Sequence, residues 1–275
     1  MLYNEPVFRP PAEAFSLIVQ TSIGCPYNKC TFCAMYKNKK YRVLSFSEIE
    51  QHIANLKKEM PQAKPLRAFL ADGDALAAET KLLLKSVTLL KNYFPTVRRI
   101  GSYGSVFSLQ RKSISDLKRL AAAGLTFIYL GLESGSGQVL KKVHKYSSPA
   151  ANISACRKAA KSGIKLSLMI IAGLGGKTLS TEHIQKSAEA VNRIQPNYTS
   201  VLNLMREHTR LLNNPDYDIS AQQYFRELET FIHLITCKTI FRSDHISNLL
   251  AIKARLPRDK DKILRQLQDF RQNLL

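Results

Sequence analysis

The sequence predicts an α/β fold: an open, partial (β/α)6 barrel of the TIM type with a short C-terminal capping segment. Three observations predict it. Six short apolar runs of strand length recur along the chain. Helical segments with three- and four-residue apolar spacing lie between them. The polar, chemistry-bearing motifs fall where the runs end. Alternating strand and helix calls for a parallel sheet with helices outside, and six units are too few for a closed eight-stranded barrel.

The runs are SLIVQTS (16–22), LRAFLA (66–71), VRRIGSY (97–103), FIYLGLE (127–133), LSLMIIAG (166–173) and YTSVLNLM (198–205). Each holds several β-branched or aromatic residues, which suit a pleated, buried surface. FSEIEQHIANLKKEM and SISDLKRLAAAG are the clearest helical segments. Ser113 and Ser115 suit the start of the second, and Gly124 suits its stop. After Met205 the pattern changes: 206–219 reads as loop, Ala221 to Leu234 as helix, FRSDHISNLLAIKARLP as a stretch of no set type, and Asp259 to Leu275 as a charged helix. The expected organisation is an extension over 1–15, a core over 16–205 and a cap over 206–275 of the same domain.

Composition narrows the function classes. With 275 residues, 45% hydrophobic and 23% charged, the chain is globular and long enough for a sizeable core. The longest apolar stretch, Leu166 to Leu174, is too short to span a bilayer and contains Ser167 and Gly173. The N-terminus lacks the charged-then-apolar order of a signal peptide. A cytoplasmic protein with no membrane partner is therefore expected, and there clustered cysteines hold metal or do chemistry rather than pair. The net charge of +20 is spread over Lys37, Lys39, Lys40 and Arg42, over Arg98 and Arg99, over Lys141, Lys142 and Lys145, and over 255–265. It fits an anionic partner, such as a phosphate-rich small molecule or RNA, and equally a basic solvated surface.

Cys25, Cys30 and Cys33 have the spacing C-x4-C-x2-C and follow the first predicted strand at once. Three thiolates can ligate three irons of a [4Fe–4S] cube and leave the fourth iron open, as chemistry requires. Structural zinc is the alternative, but it needs four ligands, and the nearest histidine along the chain, His52, lies inside a predicted helix. Cys156 and Cys237 stand alone in apolar or helical contexts and read as core residues.

The stretch resembles the signature of the radical S-adenosylmethionine (SAM) enzymes, whose usual motif is C-x3-C-x-aromatic-C in the loop after the first strand of a partial barrel. Phe32 supplies the aromatic, and one extra residue separates Cys25 from Cys30. RPPAEAFSLIVQTSIGCPYNKCTFCAMYK resembles more narrowly a subgroup of the Elp3/MiaB/NifB-like core family. ADGDAL, GLESGSGQVL, IAGLGG and SDHISNLL fit it too, so the likeness covers nearly the whole chain. It implies a small single-domain enzyme without a cobalamin-binding domain.

The resemblance assigns roles at the strand ends. In DGD, Asp72 and Asp74 flank Gly73, and Asp74 would be the anion for the amino group of the SAM methionine; an Asx-type turn is the alternative. GSYGS closes the third strand, so Ser102 or Tyr103 would line the same pocket. Glu133 would contact the SAM ammonium or ribose, or else it merely favours a helix N-terminus. Gly173 and Gly175 would let the backbone approach adenine. Phe32 and Arg206 join the cofactor-binding set. Arg242 and His245, near Asp244 and Asn248, are the catalytic candidates on the substrate side. The resemblance implies a [4Fe–4S] cluster and SAM as cofactors and a one-electron donor such as flavodoxin or ferredoxin. Reductive cleavage of SAM would give a 5′-deoxyadenosyl radical that abstracts hydrogen from an unidentified anionic substrate, a small molecule or tRNA. The rival is a non-catalytic RNA-binding protein stabilised by zinc or an iron–sulfur cluster. It accounts for the charge and the cysteines but not for the strand-end placement of DGD, GLESG and GLGG.

Overall fold

The computed structural model describes residues 3–272. The chain divides into two compact units. The first is Met1–Asn28, Met35–Leu130 and Ala155–Leu166; the second is Lys29–Ala34, Gly131–Ser154 and Ser167–Leu275.

In the first unit the strands are β1 (Leu17–Gln20), β2 (Ser22–Ile23), β3 (Arg42–Val43), β4 (Arg67–Ala71), β5 (Arg99–Gly104) and β6 (Leu125–Glu133, of which the unit holds the part to Leu130). The helices are α1 (Phe46–Glu59), α2 (Thr80–Tyr93), α3 (Val106–Gln110) and α4 (Ile114–Ala123). Strands β1, β4, β5 and β6 are parallel neighbours in that order, with Phe69 opposite Gly101 and Tyr103 opposite Tyr129. All of β1 and most of β4 are buried, as parallel strands covered on both faces require. Helix α1 turns Ile49, Ile53 and Leu56 inward at four- and three-residue spacing. It starts at a capping box in which the Glu48 N–H donates to Ser45 Oγ and the Ser45 N–H donates back to Glu48. Helix α4 starts at the same device on Ser113, not Ser115, and stops at Gly124 with φ 119°.

The second unit holds α5 (Gly137–Lys142), the first part of α6 (Pro149–Lys161), β7 (Lys165–Ala172, from Ser167), α7 (Ser180–Ile194), β8 (Tyr198–Asn203), α8 (Ala221–Leu234), β9 (Thr239–Ser243), β10 (Ile252–Leu256) and α9 (Lys260–Gln272). Strands β7, β8 and β9 are parallel and β10 returns antiparallel to β9. Helix α8 buries Tyr224, Phe225, Leu228 and Phe231, with the Phe231 ring 6.3 Å from that of Phe241 on β9.

All six expected strands form. The segment 206–275 differs from expectation, because it adds β9 and β10 to the sheet. Ile252–Leu256 alternates buried and exposed residues with a period of two. The expected helix over 259–275 is α9, and its last three residues lie outside the described residues, as do the first two of the expected extension 1–15. Glu13 is fully buried and accepts from Ser16, Tyr129 and Arg99.

Candidate active site

A two-stranded ladder, Ser22 opposite Val43 and Ile23 opposite Arg42, closes the neck of the cysteine loop. In the first unit the loop is tied to the end of β4 through Asp72. Fully buried, this carboxylate accepts at Oδ2 from the Gly24 N–H at 3.1 Å and from Lys39 Nζ at 3.0 Å. Lys39 also donates to the Asn4 and Pro6 carbonyls, both at 2.6 Å, and its side chain is only 6% exposed. Among the described residues Asp72 Oδ1 and the Tyr36 hydroxyl are buried and show no hydrogen bond of ordinary distance and angle. Burial first and the Asp72 carboxylate second push the Tyr36 phenol far up. The Tyr41 phenol is pushed up to about 12 by burial first, then by Asp74 and Cys25. Asp74 accepts from Ser105 Oγ at 2.5 Å, and the buried Ser102 Oγ donates to the Tyr103 carbonyl at 2.5 Å. Gly73 is needed for packing. A Cβ there would stand 2.7 Å from the Tyr36 ring and 2.9 Å from the Gly24 carbonyl.

In the second unit, Lys29–Ala34 carries Cys30 and Cys33. Thr31 donates to the Val143 carbonyl from its N–H (3.0 Å) and its hydroxyl (3.2 Å), and Phe32 packs on the cluster of Val139, Val143, Leu174, Leu211 and Tyr217. All five cysteines lie among the described residues, and no disulfide joins any of them. Cys25, Cys30 and Cys33 are half-buried, whereas Cys156 and Cys237 are buried, and burial pushes the Cys156 thiol up to about 12. Among the described residues no three His, Cys, Asp or Glu side chains are gathered as a metal cage. The fit of the triad to an iron–sulfur cube therefore rests on donor chemistry: three half-buried thiols, soft donors at C-x4-C-x2-C spacing along the sequence.

Glu133 ends β6 with φ 64°, an uncommon backbone for a non-glycine residue, and its carboxylate meets Lys145 Nζ at 3.2 Å. The turn after it is built onto α7. The Gly135 N–H donates to Ser187 Oγ at 2.9 Å, and Ser136 Oγ donates to Glu182 at 2.6 Å. A Cβ on Gly135 would collide with the Lys186 carbonyl. His183, fully buried, anchors the turn. Its Nε2 lies 2.9 Å from the Ile171 carbonyl and so carries the proton, which leaves Nδ1 to accept from Ser134 Oγ at 2.8 Å. Burial pushes this imidazole down to about 4 and keeps it neutral. Sequence reasoning missed His183, although its four-residue spacing to Ser187 and eight-residue spacing to Val191 put it on the apolar side of α7.

The glycines after β7 also serve packing. The Gly173 N–H donates to buried Glu227 at 2.6 Å, and a Cβ on Gly173 would strike Ile219. A Cβ on Gly175 would stand 2.8 Å from the Leu179 carbonyl. Burial pushes the Glu227 carboxyl up, against hydrogen bonds from Ser180, Gly173 and Gln223. Arg206 pairs with Asp218 at 2.7 Å. On the expected substrate side, Arg242 lies 4.0 Å from Asp244 and 6.0 Å from the centre of the Tyr198 ring. His245 Nδ1 accepts the Ser247 N–H at 3.1 Å, and burial pushes its imidazole down against the opposing pull of Asp244. Asn248 donates to the Val201 carbonyl at 2.8 Å and to Tyr224 at 3.0 Å.

Comparison with known proteins bears on this arrangement. Over 179 residues, 57% of this chain, the sequence is 29% identical to 4'-phospho-dehydrooxetanocin synthase of Priestia megaterium; the match spans 23% of that protein, about a quarter of its length. Two solved structures share the fold at 17% identity. Methylornithine synthase (PylB) superposes with a TM-score of 0.56 over 93% of this chain and 81% of that one. Coproporphyrinogen III oxidase (HemN) from Escherichia coli, described as a radical SAM enzyme, gives 0.59 over 79% and 51%. The fold is the α/β partial barrel of these neighbours, as the sequence predicts. The Radical SAM superfamily model matches residues 19–191, from within β1 to within α7. The chain therefore belongs to the radical SAM superfamily, enzymes that work with a [4Fe–4S] cluster and S-adenosylmethionine.

Proposed function

We propose that Cys25, Cys30 and Cys33 hold the [4Fe–4S] cluster and that the enzyme abstracts hydrogen from an organic anion. The observation that carries this reading is the contrast among the cysteines: the three in the motif are accessible and the other two are buried. When bound, the cluster and SAM supply reductive cleavage of a carbon–sulfur bond and the hydrogen abstraction that follows. An electron donor such as flavodoxin or ferredoxin would feed it. No helix among the described residues is long and apolar enough to cross a membrane.

The chain's own residues bind and orient. Asp72 holds the Gly24 N–H and so fixes the entry to the cysteine loop. Asp74 would take the SAM ammonium, with Ser105 fixing its carboxylate, while Ser102 shapes the end of β5. Glu133, aligned by Lys145, would take the ribose hydroxyls. Phe32, Gly173, Gly175 and Arg206 would support the cofactor through the packing and pairing already described. On the substrate side Arg242 supplies a permanent positive charge, and His245, its Nδ1 engaged by Ser247, would hold or move a proton at Nε2. The name of the curated relative, a phospho compound's synthase, fits a phosphorylated small molecule; the net charge of +20 also suits tRNA.

The test is anaerobic reconstitution with iron and sulfide, followed by SAM and dithionite with a metabolite or tRNA pool. Bound iron, 5′-deoxyadenosine and deuterium transfer from labelled substrate are expected. Stoichiometric zinc with neither iron uptake nor SAM cleavage would overturn the reading.

A further inference from the structure

We infer that the open face of the β7–β10 sheet is a binding face for a small amphiphilic organic anion, whose apolar body lies over β7 and β8 and whose phosphate or carboxylate sits at β9 and β10. This deepens the proposed function and rests on it only for calling the anion a substrate.

Successive strand residues point to opposite faces. One face of this sheet is buried: Thr199, Val201, Phe241, Ser243, Ala254 and Leu256, with Phe241 and Ser243 meeting Phe231 and Tyr224 of α8. The other face is buried at Ser167 and more open elsewhere. Met169, Ile171, Tyr198, Ser200, Leu202 and Arg242 are part-buried, and Lys253 and Arg255 are exposed. The register sorts them into rows. One row runs Met169, Ser200, Arg242, Lys253, and the row below it runs Tyr198, Ile240, Arg255. Above them Ile171 faces Leu202. Strands about 4.8 Å apart make the face about 14 Å wide, and rows two residues apart are separated by about 6.7 Å.

The chemistry is graded across that width. Over Ser167–Ala172 of β7 the face carries Ser167, Met169 and Ile171, β8 adds Tyr198, Ser200 and Leu202, β9 carries Ile240 and Arg242, and β10 carries the cations Lys253 and Arg255. Asp244 is the counter-charge, at 3.2 Å from Lys253 and 4.0 Å from Arg242. Arg242, Lys253 and Arg255 outnumber it and leave the end positive. Charges on β10 alone would read as protection of an edge strand. Arg242 is on β9, which is paired on both sides and has no edge to guard. Its guanidinium lies over the Tyr198 ring, an arrangement that leaves the planar donor fork to take an oxyanion. A polynucleotide would need cations along a track, whereas these stand at one end of a face the length of a small molecule.

The test is calorimetric titration of the full, cluster-loaded chain with 1-naphthyl phosphate, 1-naphthoate and neutral 1-naphthalenemethanol. At least one anion should bind roughly tenfold tighter than the alcohol, and which one does names the group. Arg242→Gln and Lys253→Gln should each cost about five- to tenfold, while Arg226→Gln, exposed on α8, should cost nothing. Equal binding of all three probes, an Arg226→Gln loss as large as that of Arg242→Gln, or binding of tRNA without either naphthyl anion would overturn the inference. Iron content and 5′-deoxyadenosine are measured on the same samples. Anion binding without iron uptake or SAM cleavage removes the proposed function and leaves the face. Iron uptake and SAM cleavage without anion binding remove the face alone.

Discussion

Lys39→Met isolates the contact that ties the cysteine loop to β4. The substitution keeps most of the aliphatic stem and removes the charge that meets Asp72 Oδ2 at 3.0 Å. It also strips the Asn4 and Pro6 carbonyls of their 2.6 Å donor. Asp72 is then a fully buried carboxylate whose Oδ2 keeps the Gly24 N–H, and among the described residues its Oδ1 has no well-aligned donor. Removing one partner of a buried pair costs about 3–5 kcal/mol, because the other charge stays buried and uncompensated. Replacing both partners is far milder, so Lys39→Met/Asp72→Leu should cost less than the sum of the single changes by at least about 1 kcal/mol. Urea unfolding of the apo chain, followed by far-UV circular dichroism, measures all three variants. Iron uptake gives a second readout. Gly24 adjoins Cys25, so Lys39→Met should lower iron occupancy under conditions where the chain is still folded. Single-variant losses below about 1 kcal/mol, or strict additivity in the double variant, would refute the claim that this pair is buried and coupled.

Three further outcomes follow from the same geometry. Cys30→Ala should abolish iron binding while Cys156→Ala retains it, and in the apo protein a thiol reagent should label Cys25, Cys30 and Cys33 well before Cys156; equal iron loss in both variants contradicts the assignment. Glu133→Ala should weaken SAM binding roughly tenfold or more and leave iron content unchanged, since the carboxylate lies in the strand-end turn rather than in the cysteine loop; unaltered SAM affinity in equilibrium dialysis counts against the role. His183, held down to about 4 against an unfolded value of 6.5, binds fewer protons when folded, so its contribution to stability is intact above pH 6.5 and is lost as pH falls toward 4, by about 3 kcal/mol at most. His183→Gln should flatten that slope in urea unfolding curves at pH 4.5, 5.5 and 7; an unchanged slope would show that the imidazole is not buried neutral.

What the sequence could and could not say follows from which physical constraint leaves a local trace. Strands β1 and β4 to β8 leave one, because a strand covered on both faces must be apolar at nearly every position, as LIVQ and RAFLA are. Ser113 and Gly124 leave one because a cap and a left-handed stop each demand a particular residue type. Strand β10 is legible in hindsight: IKARL alternates perfectly, but it lies in a stretch whose charges hide the alternation. The cysteine triad is legible because its spacing, C-x4-C-x2-C, is compact along one loop. The glycines are ambiguous for a reason that applies beyond this chain. A missing Cβ records that something comes close, not what does. At Gly73 it is the Tyr36 ring, and at Gly175 the Leu179 carbonyl. Lys39 leaves no trace at all. It sits in a basic run between Lys37 and Lys40, which stay exposed, and only the fold puts it on Asp72. A basic run can thus hide a positioning residue among solvated neighbours. The cost of removing its charge, which a surface lysine would not incur, tells the two apart.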